Sequence, residues 1–261
     1  MEFKALHQQN HPLLIGNVWD VTSTKIAEKL NFKAVGTSSA AIATTLGYTD
    51  GEEMKFSELE YIVKRILANT KLPVSVDLES GYSRDPVKIV NHIKQLCDLG
   101  VAGINLEDSV VCKERILLHA ETFAETLSFI KNELQKSQLN IFLNIRVDTF
   151  LLGQSKPIEE SQKRIHLYEQ AGADGIFLPG IEKEGDIKKM VKKTSLPINV
   201  MCMPNLPDFN RLNELGVKRI SMGNFLFKHL YKNHKELTAQ LLSQKSFKPI
   251  FYHANNRKRK N

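Results

Sequence analysis

Eight short runs of strand-forming residues, separated by charged segments with helical spacing, constrain this chain more than any other feature. The runs are LLIGNVWD (13–20), AVGTSS (34–39), PVSVDLES (73–80), GINLED (103–108), IFLNIRVD (141–148), GIFLPG (175–180), INVMCMP (198–204) and RISMGN (219–224). Between them, FSELEYIVKRILAN (56–69), DPVKIVNHIKQLCDL (85–99) and PIEESQKRIHLYEQA (157–171) place apolar residues near a 3.6-residue period. Asp85 before Pro86 predicts a helix start, with the acid as cap and the proline in the first turn. A weak repeat recurs ahead of the second, fourth, sixth and eighth runs, as LNFKAV, LGVAGI, AGADGI and LGVKRI. In each a helix ends, usually at glycine, and a buried strand begins. Such alternation is the pattern of parallel β/α architecture. Eight units in 261 residues fit a closed (β/α)8 barrel of the TIM type better than an open doubly wound sheet. No GxGxxG follows the first run, where Asn17-Val18-Trp19-Asp20 stands, and the chain has no GxxxxGK[ST].

Composition narrows the class of protein. The 42% of hydrophobic residues can supply a large core, and no apolar run approaches the ~20 residues that a membrane span requires. Three cysteines (Cys97, Cys112, Cys202) without CxxC spacing argue against a disulfide framework or a zinc cluster, and a reducing, cytoplasmic setting is expected. The net charge of +7 includes four charges from Arg257, Lys258, Arg259 and Lys260. Residues 1–245 are therefore read as one barrel domain with its C-terminal helix, and 246–261 as a basic, flexible tail. No zinc-finger spacing or aromatic platform accompanies that tail, so neither a nucleic acid nor a membrane is the expected partner.

In such a barrel, chemistry is built at the carboxyl ends of the strands. There the chain places Trp19 and Asp20; Thr37, Ser38 and Ser39; Asp77 and Glu79; Asn105, Glu107 and Asp108; Asn144, Arg146 and Asp148; Asn199; and Asn224. Strand alternation predicts that Ser75, Asp77 and Glu79 share the inward face while Val74, Val76 and Leu78 face the helices. Two inward carboxylates repel unless a cation or a proton compensates, and a divalent ion that prefers oxygen ligands is the economical solution. Asp148 is either the salt-bridge partner of Arg146 or one of the acid set. Arg146 is costly inside a barrel unless it meets carboxylates or an anionic ligand.

These segments together resemble the phosphoenolpyruvate mutase and isocitrate lyase superfamily, close to the group named for carboxyvinyl-carboxyphosphonate phosphorylmutase. The resemblance rests on N17-V18-W19-D20 with Ser23, T37-S38-S39-A40-A41-I42-A43, L46-G47-Y48-T49-D50-G51, V76-D77-L78-E79-S80-G81-Y82, G103-I104-N105-L106-E107-D108 and N144-I145-R146-V147-D148. It implies Mg2+, with Mn2+ as a substitute, bound directly by Asp77 while Asp50, Glu79 and Glu107 hold its waters. It implies that Ser38, with the N–H groups of Ser39 and Ala40, receives a substrate carboxylate or phosphonate, and that Arg146 balances the remaining charge. Trp19, Asp20 and Asn199 are the other residues expected at the substrate. The resemblance also implies a homotetramer, a dimer of dimers, in which a C-terminal helix at 225–243 is exchanged between subunits.

The loop after Glu107-Asp108 departs from the family. Isocitrate and methylisocitrate lyases carry K-[KR]-C-G-H there, whereas this chain reads S109-V110-V111-C112-K113-E114-R115. Cys112, Lys113 and Tyr48 are the candidate proton donors or lid residues, and Arg115 stands where phosphonomutases place an asparagine. The expected activity is a Mg2+-dependent C–C lyase or decarboxylase acting on a small 2-oxo or 2-hydroxy diacid through a pyruvate enolate. The alternatives are P–C chemistry, by a phosphonomutase or phosphonopyruvate hydrolase, and a catalytically silent barrel that binds an anionic metabolite.

Overall fold

The computed structural model describes residues 3–255. The chain separates into two units, one running to Gly223 and the other beginning at Asn224.

The first unit opens with a 3-10 turn, Phe3–Gln8, followed by β1 (Leu13–Leu14), β2 (Gly16–Val18), α1 (Val21–Lys29), β3 (Val35–Thr37), α2 (Ser39–Leu46) and α3 (Phe56–Leu67). Next come β4 (Val74–Asp77), α4 (Pro86–Asp98), β5 (Gly103–Glu107), a hairpin of β6 (Ser109–Val111) and β7 (Arg115–Leu117), and α5 (Ala120–Lys136). The unit continues through β8 (Phe142–Arg146), α6 (Pro157–Gln170), β9 (Gly175–Leu178), α7 (Glu184–Lys193), β10 (Ile198–Met201), α8 (Phe209–Glu214) and β11 (Arg219–Ser221). Apart from the hairpin, the strands form one parallel sheet in the order β1-β11-β10-β9-β8-β5-β4-β3-β2. β1 and β2 are pieces of one segment interrupted at Ile15; the first pairs with β11 and the second with β3. That segment therefore joins the two edges of the sheet, which gives the eight strand positions of a (β/α)8 barrel.

The repeat seen in the sequence has a concrete cause. Asn31, Gly100, Gly172 and Gly216 all adopt a left-handed conformation, with φ of 60°, 93°, 97° and 88°. The residue after each sends its N–H back to the carbonyl five residues earlier, as in Val101 to Leu96 (3.1 Å) and Val217 to Leu212 (3.0 Å). This double-bonded helix ending turns the chain sharply into the next strand, and only glycine or asparagine adopts it cheaply. Asp85 caps α4 as the sequence predicts, accepting from the Val87 N–H at 2.9 Å.

Val74, Val76, Leu78, Ile104, Leu143, Ile145, Ile176 and Val200 are buried in the main core with residues of the helices. A smaller cluster of Phe3, Leu6, Leu13, Ile15, Ala34 and Phe142 unites the N-terminal turn with the starts of the strands. A Cβ on Gly103 would lie 2.7 Å from the Phe3 ring, so that position has no room for a side chain.

The second unit contains α9 (Phe225–Gln244) and α10 (Lys248–Asn255). Leu226, Leu230, Tyr231, Leu242, Phe247, Ile250 and Phe251 are exposed on it. Part of the segment read as a tail is thus helical, and the basic run 257–260 lies outside the described residues. Among the described residues no helix is long and apolar enough to cross a membrane.

Candidate active site

Strand register determines which polar residues meet. Asp77 of β4 pairs with Asn105 of β5, and Glu107 of β5 pairs with Arg146 of β8. Below them the barrel interior is polar rather than aliphatic. Asn144 donates to Asn105 (2.8 Å) and Asn199 (3.2 Å), and Asn199 bonds Val200 O and Ser221 Oγ. Arg219, 2% exposed, enters this layer from β11 and reaches Ser75 and Asn105 at 3.4 Å each. Burial lowers its pKa to about 10, against the opposing pull of Asp77. Asn199, expected at the substrate, is thus engaged in the network beneath the rim.

The route by which Glu79 reaches the rim differs from the expectation. β4 ends at Asp77, and strand alternation does not extend to Glu79. Instead Glu79 (φ 50°), Gly81 (φ 99°) and Tyr82 (φ 56°) form a left-handed turn. A Cβ on Gly81 would sit 2.8 Å from Ile89, so the turn packs against α4. Glu52 ties the turn down, accepting from the N–H and hydroxyl of Ser80 (3.1 and 2.9 Å) and the N–H of Tyr82 (2.6 Å), and it also pairs with Arg84. The Glu107 N–H donates to the Glu79 carbonyl at 2.8 Å, which locks the two acidic positions together.

Glu79 is buried; one oxygen accepts from Tyr82 OH at 3.1 Å and the other has no hydrogen-bond partner. Burial, followed by repulsion from Asp50, Glu107 and Asp77, pushes its pKa to about 9. Burial also pushes Glu107 upward, opposed by Arg146 and Arg115. Arg146 pairs with Glu107 at 2.8 Å and grips Asp148 through two nitrogens, at 2.6 and 3.1 Å. Asp148 is therefore the partner of Arg146, two residues along and on the same face.

Asp77 occupies the N-terminal end of α2, accepting from the Ser39 N–H (3.3 Å) and hydroxyl (2.8 Å). Ser38 caps the same helix through the Ala41 N–H. Ser39, expected to receive substrate, instead serves Asp77 here. Asp20 caps α1 in a reciprocal box with Ser23, while the neighbouring Trp19 is half-buried against the core. Ala40, expected with Ser39 at the substrate, lies in the first turn of α2. The Tyr48 hydroxyl donates to Glu58 of α3 at 3.0 Å.

Cys112 and Lys113 occupy the exposed tip of the β6–β7 hairpin. The residue that this hairpin delivers is Arg115. It pairs with Glu107, bonds Ser109 Oγ at 2.9 Å, and lies 3.4 Å from Asp148 and 3.8 Å from Asp50. Asp108 faces away from the acids, accepting from Arg164 (2.8 Å), Tyr168 OH (2.9 Å) and the Asp148 N–H (3.0 Å). The Glu-Asp pair is thus divided by strand alternation into a rim acid and an anchor to α6. Glu160, Arg164 and Tyr168 recur every fourth residue on α6, and that spacing is the signal from which the anchor could have been found. The contacts of Arg219 and Glu52 leave no comparable trace in the sequence.

A divalent cation fits this chemistry: hard oxygen donors converge, and one buried carboxylate oxygen has no partner. Among the described residues no group of three or more His, Cys, Asp or Glu side chains is arranged to ligate one ion directly.

Residues 3–242 match the family described as phosphoenolpyruvate phosphomutase. An uncharacterized protein of Mycobacterium tuberculosis is 32% identical over 224 residues, covering 86% of this chain and 82% of the relative. An oxaloacetate decarboxylase of Pseudomonas entomophila is 28% identical over 218 residues, 80% of this chain and 72% of that enzyme. A solved structure from Burkholderia cenocepacia, provisionally described as a phosphonomutase, is 31% identical with a TM-score of 0.86 and covers 91% of this chain and 97% of its own. A 2,3-dimethylmalate lyase structure shares the fold at 22% identity and a TM-score of 0.82, over 93% of this chain and 86% of that one.

Proposed function

Because this chain belongs to the phosphoenolpyruvate phosphomutase family, we propose that it is a divalent-cation-dependent lyase or decarboxylase acting on a small 2-oxo or 2-hydroxy diacid. One observation carries this reading. Arg146 is fixed at the carboxyl rim by Glu107 and Asp148, beside a buried Glu79 whose second oxygen has no partner. A positioned guanidinium beside surplus buried carboxylate suits a site that takes a cation together with an anionic substrate. The similarity to oxaloacetate decarboxylases favours C–C over P–C chemistry.

Asp77 would hold Mg2+ or Mn2+ directly, with Asp50, Glu79 and Glu107 acting through its waters. When bound, the cation supplies Lewis acidity toward the oxygens of a 2-oxo acid. Ser38 and the first turn of α2 would face the substrate carboxylate near Asp77. As the C–C bond breaks, its electron pair moves into the 2-oxo group and an enolate forms; Arg146 stabilises that charge without reorganising, because Asp148 holds it on two nitrogens. Lys113 and Cys112, at the tip of the hairpin, would be the candidates to return a proton to that carbon. The exposed apolar residues of α9 and α10 suit an interface between subunits; for the tetramer that the family resemblance implies, light scattering at four times the chain mass is the expected result.

The test supplies oxaloacetate and phosphonopyruvate separately, with Mg2+ or Mn2+. Pyruvate formed enzymatically from oxaloacetate is the expected result. Phosphoenolpyruvate or pyruvate from phosphonopyruvate alone would establish P–C chemistry instead, and consumption of neither would leave a metabolite-binding barrel.

A further inference from the structure

We infer that Arg115 is a resident counter-cation of the acid cluster, which a divalent cation must displace, so that the β6–β7 hairpin opens as the metal enters. The inference rests on the reading of the cluster as a cation site. Arg146 already neutralises Glu107 and Asp148 from the strand beside them. Arg115 brings a second guanidinium to the same two carboxylates and extends to within 3.8 Å of Asp50. It thus contacts two of the four acids assigned to the cation. A divalent ion there would face a positive charge beside the buried Glu79 and Glu107, where such repulsion is poorly screened, although Asp50 is exposed. The two cations therefore compete for the same carboxylates.

The surroundings give Arg115 an alternative position. Besides the acid cluster, it lines a cavity of about 510 Å3 with Leu152, Gln154, Lys156, Arg164 and Glu160, whose carboxylate Arg164 already holds at 2.7 Å. The hairpin that carries it consists of two strands of three residues, hydrogen-bonded to each other and to no other strand, with residues 112–114 exposed. Ser109 and Val110 at its base are buried, so the part with least to lose on opening is the exposed tip with β7, which carries Arg115. Arg115 would then couple occupancy of the metal site to the position of Cys112 and Lys113.

The test titrates Mn2+ into the full-length wild-type protein, Arg115→Gln and Arg115→Lys, by calorimetry. Hydrogen exchange of residues 109–117 is followed with and without Mn2+. The expected result is about tenfold tighter Mn2+ binding by Arg115→Gln, with Arg115→Lys between it and the wild type. In the wild type, exchange at 109–117 should rise with Mn2+, a readout that needs no variant to fold. Equal or weaker binding by Arg115→Gln, or hairpin protection that Mn2+ leaves unchanged or increases, overturns the inference alone. If no protein binds Mn2+, the cation reading of the site falls and this inference with it.

Discussion

The guanidinium of Arg146 bridges Glu107, at 2.8 Å, and Asp148, at 2.6 and 3.1 Å, and so joins the ends of β5 and β8 by charge as well as by sheet register. Arg146→Gln should lower turnover at least about 100-fold, because a preorganised positive charge is lost where charge develops. Leaving Glu107 and Asp148 without it should also cost about 3–5 kcal/mol of stability. Arg146→Lys, which cannot grip Asp148 with two nitrogens, should recover stability better than turnover. Steady-state kinetics and denaturant unfolding measure the two effects separately.

Asp77 is held by Ser39 and has no basic side chain bonded to it, so its replacement by Asn keeps a neutral acceptor for Ser39. Asp77→Asn should retain the melting temperature of the metal-free protein to within a few degrees. It should lose the rise in melting temperature that Mg2+ or Mn2+ produces in the wild type, and at least about 100-fold in activity. A retained metal response would remove Asp77 from the proposed ligand set.

Arg164 and Asp108 are both buried, and Tyr168 completes the contact. Arg164→Ala leaves the Asp108 carboxyl, which burial already raises to about 6, without its cation. The expected loss is about 3–5 kcal/mol of stability, with KM for the substrate changed less than twofold in the folded fraction. A large KM effect would show that the anchor also shapes the substrate pocket.

His7 is buried, stacks on Phe142 with ring centroids 4.2 Å apart, and donates from Nδ1 to Phe3 O. Burial, reinforced by Arg219, lowers its pKa to about 3. The folded state keeps this imidazole neutral while the unfolded chain protonates it below its ordinary 6.5. Its contribution to stability is therefore complete above pH 6.5 and declines as pH falls toward 3, by up to about 1.4 kcal/mol per pH unit. His7→Phe should flatten that part of the stability–pH curve, measured by urea unfolding between pH 4 and 7.

Much of the fold was legible in the chain because parallel β/α units write local signals. Asn31, Gly100, Gly172 and Gly216 end helices by the same left-handed turn, and residues such as Val74, Val76 and Leu78 mark strands by their continuous burial. Local stereochemistry and hydrophobic burial dictate these features, so a short window of sequence suffices to see them. Asp77, Glu107, Arg146 and Asp148 could likewise be assigned to strand ends, and β/α topology says that strand ends converge.

What each side chain does there was decided by tertiary structure. Glu79 reaches the rim through a left-handed turn secured by Glu52, Asp77 takes the N–H that Ser39 was expected to offer a substrate, and Asp108 turns outward to Arg164. Arg115 reaches the acid cluster from the hairpin whose exposed tip carries Cys112 and Lys113, and Arg219 lies inside the barrel. Each outcome depends on which charges become neighbours once the sheet closes. Coulomb energy falls with distance in space and not with separation along the chain, and sequence spacing records only the latter.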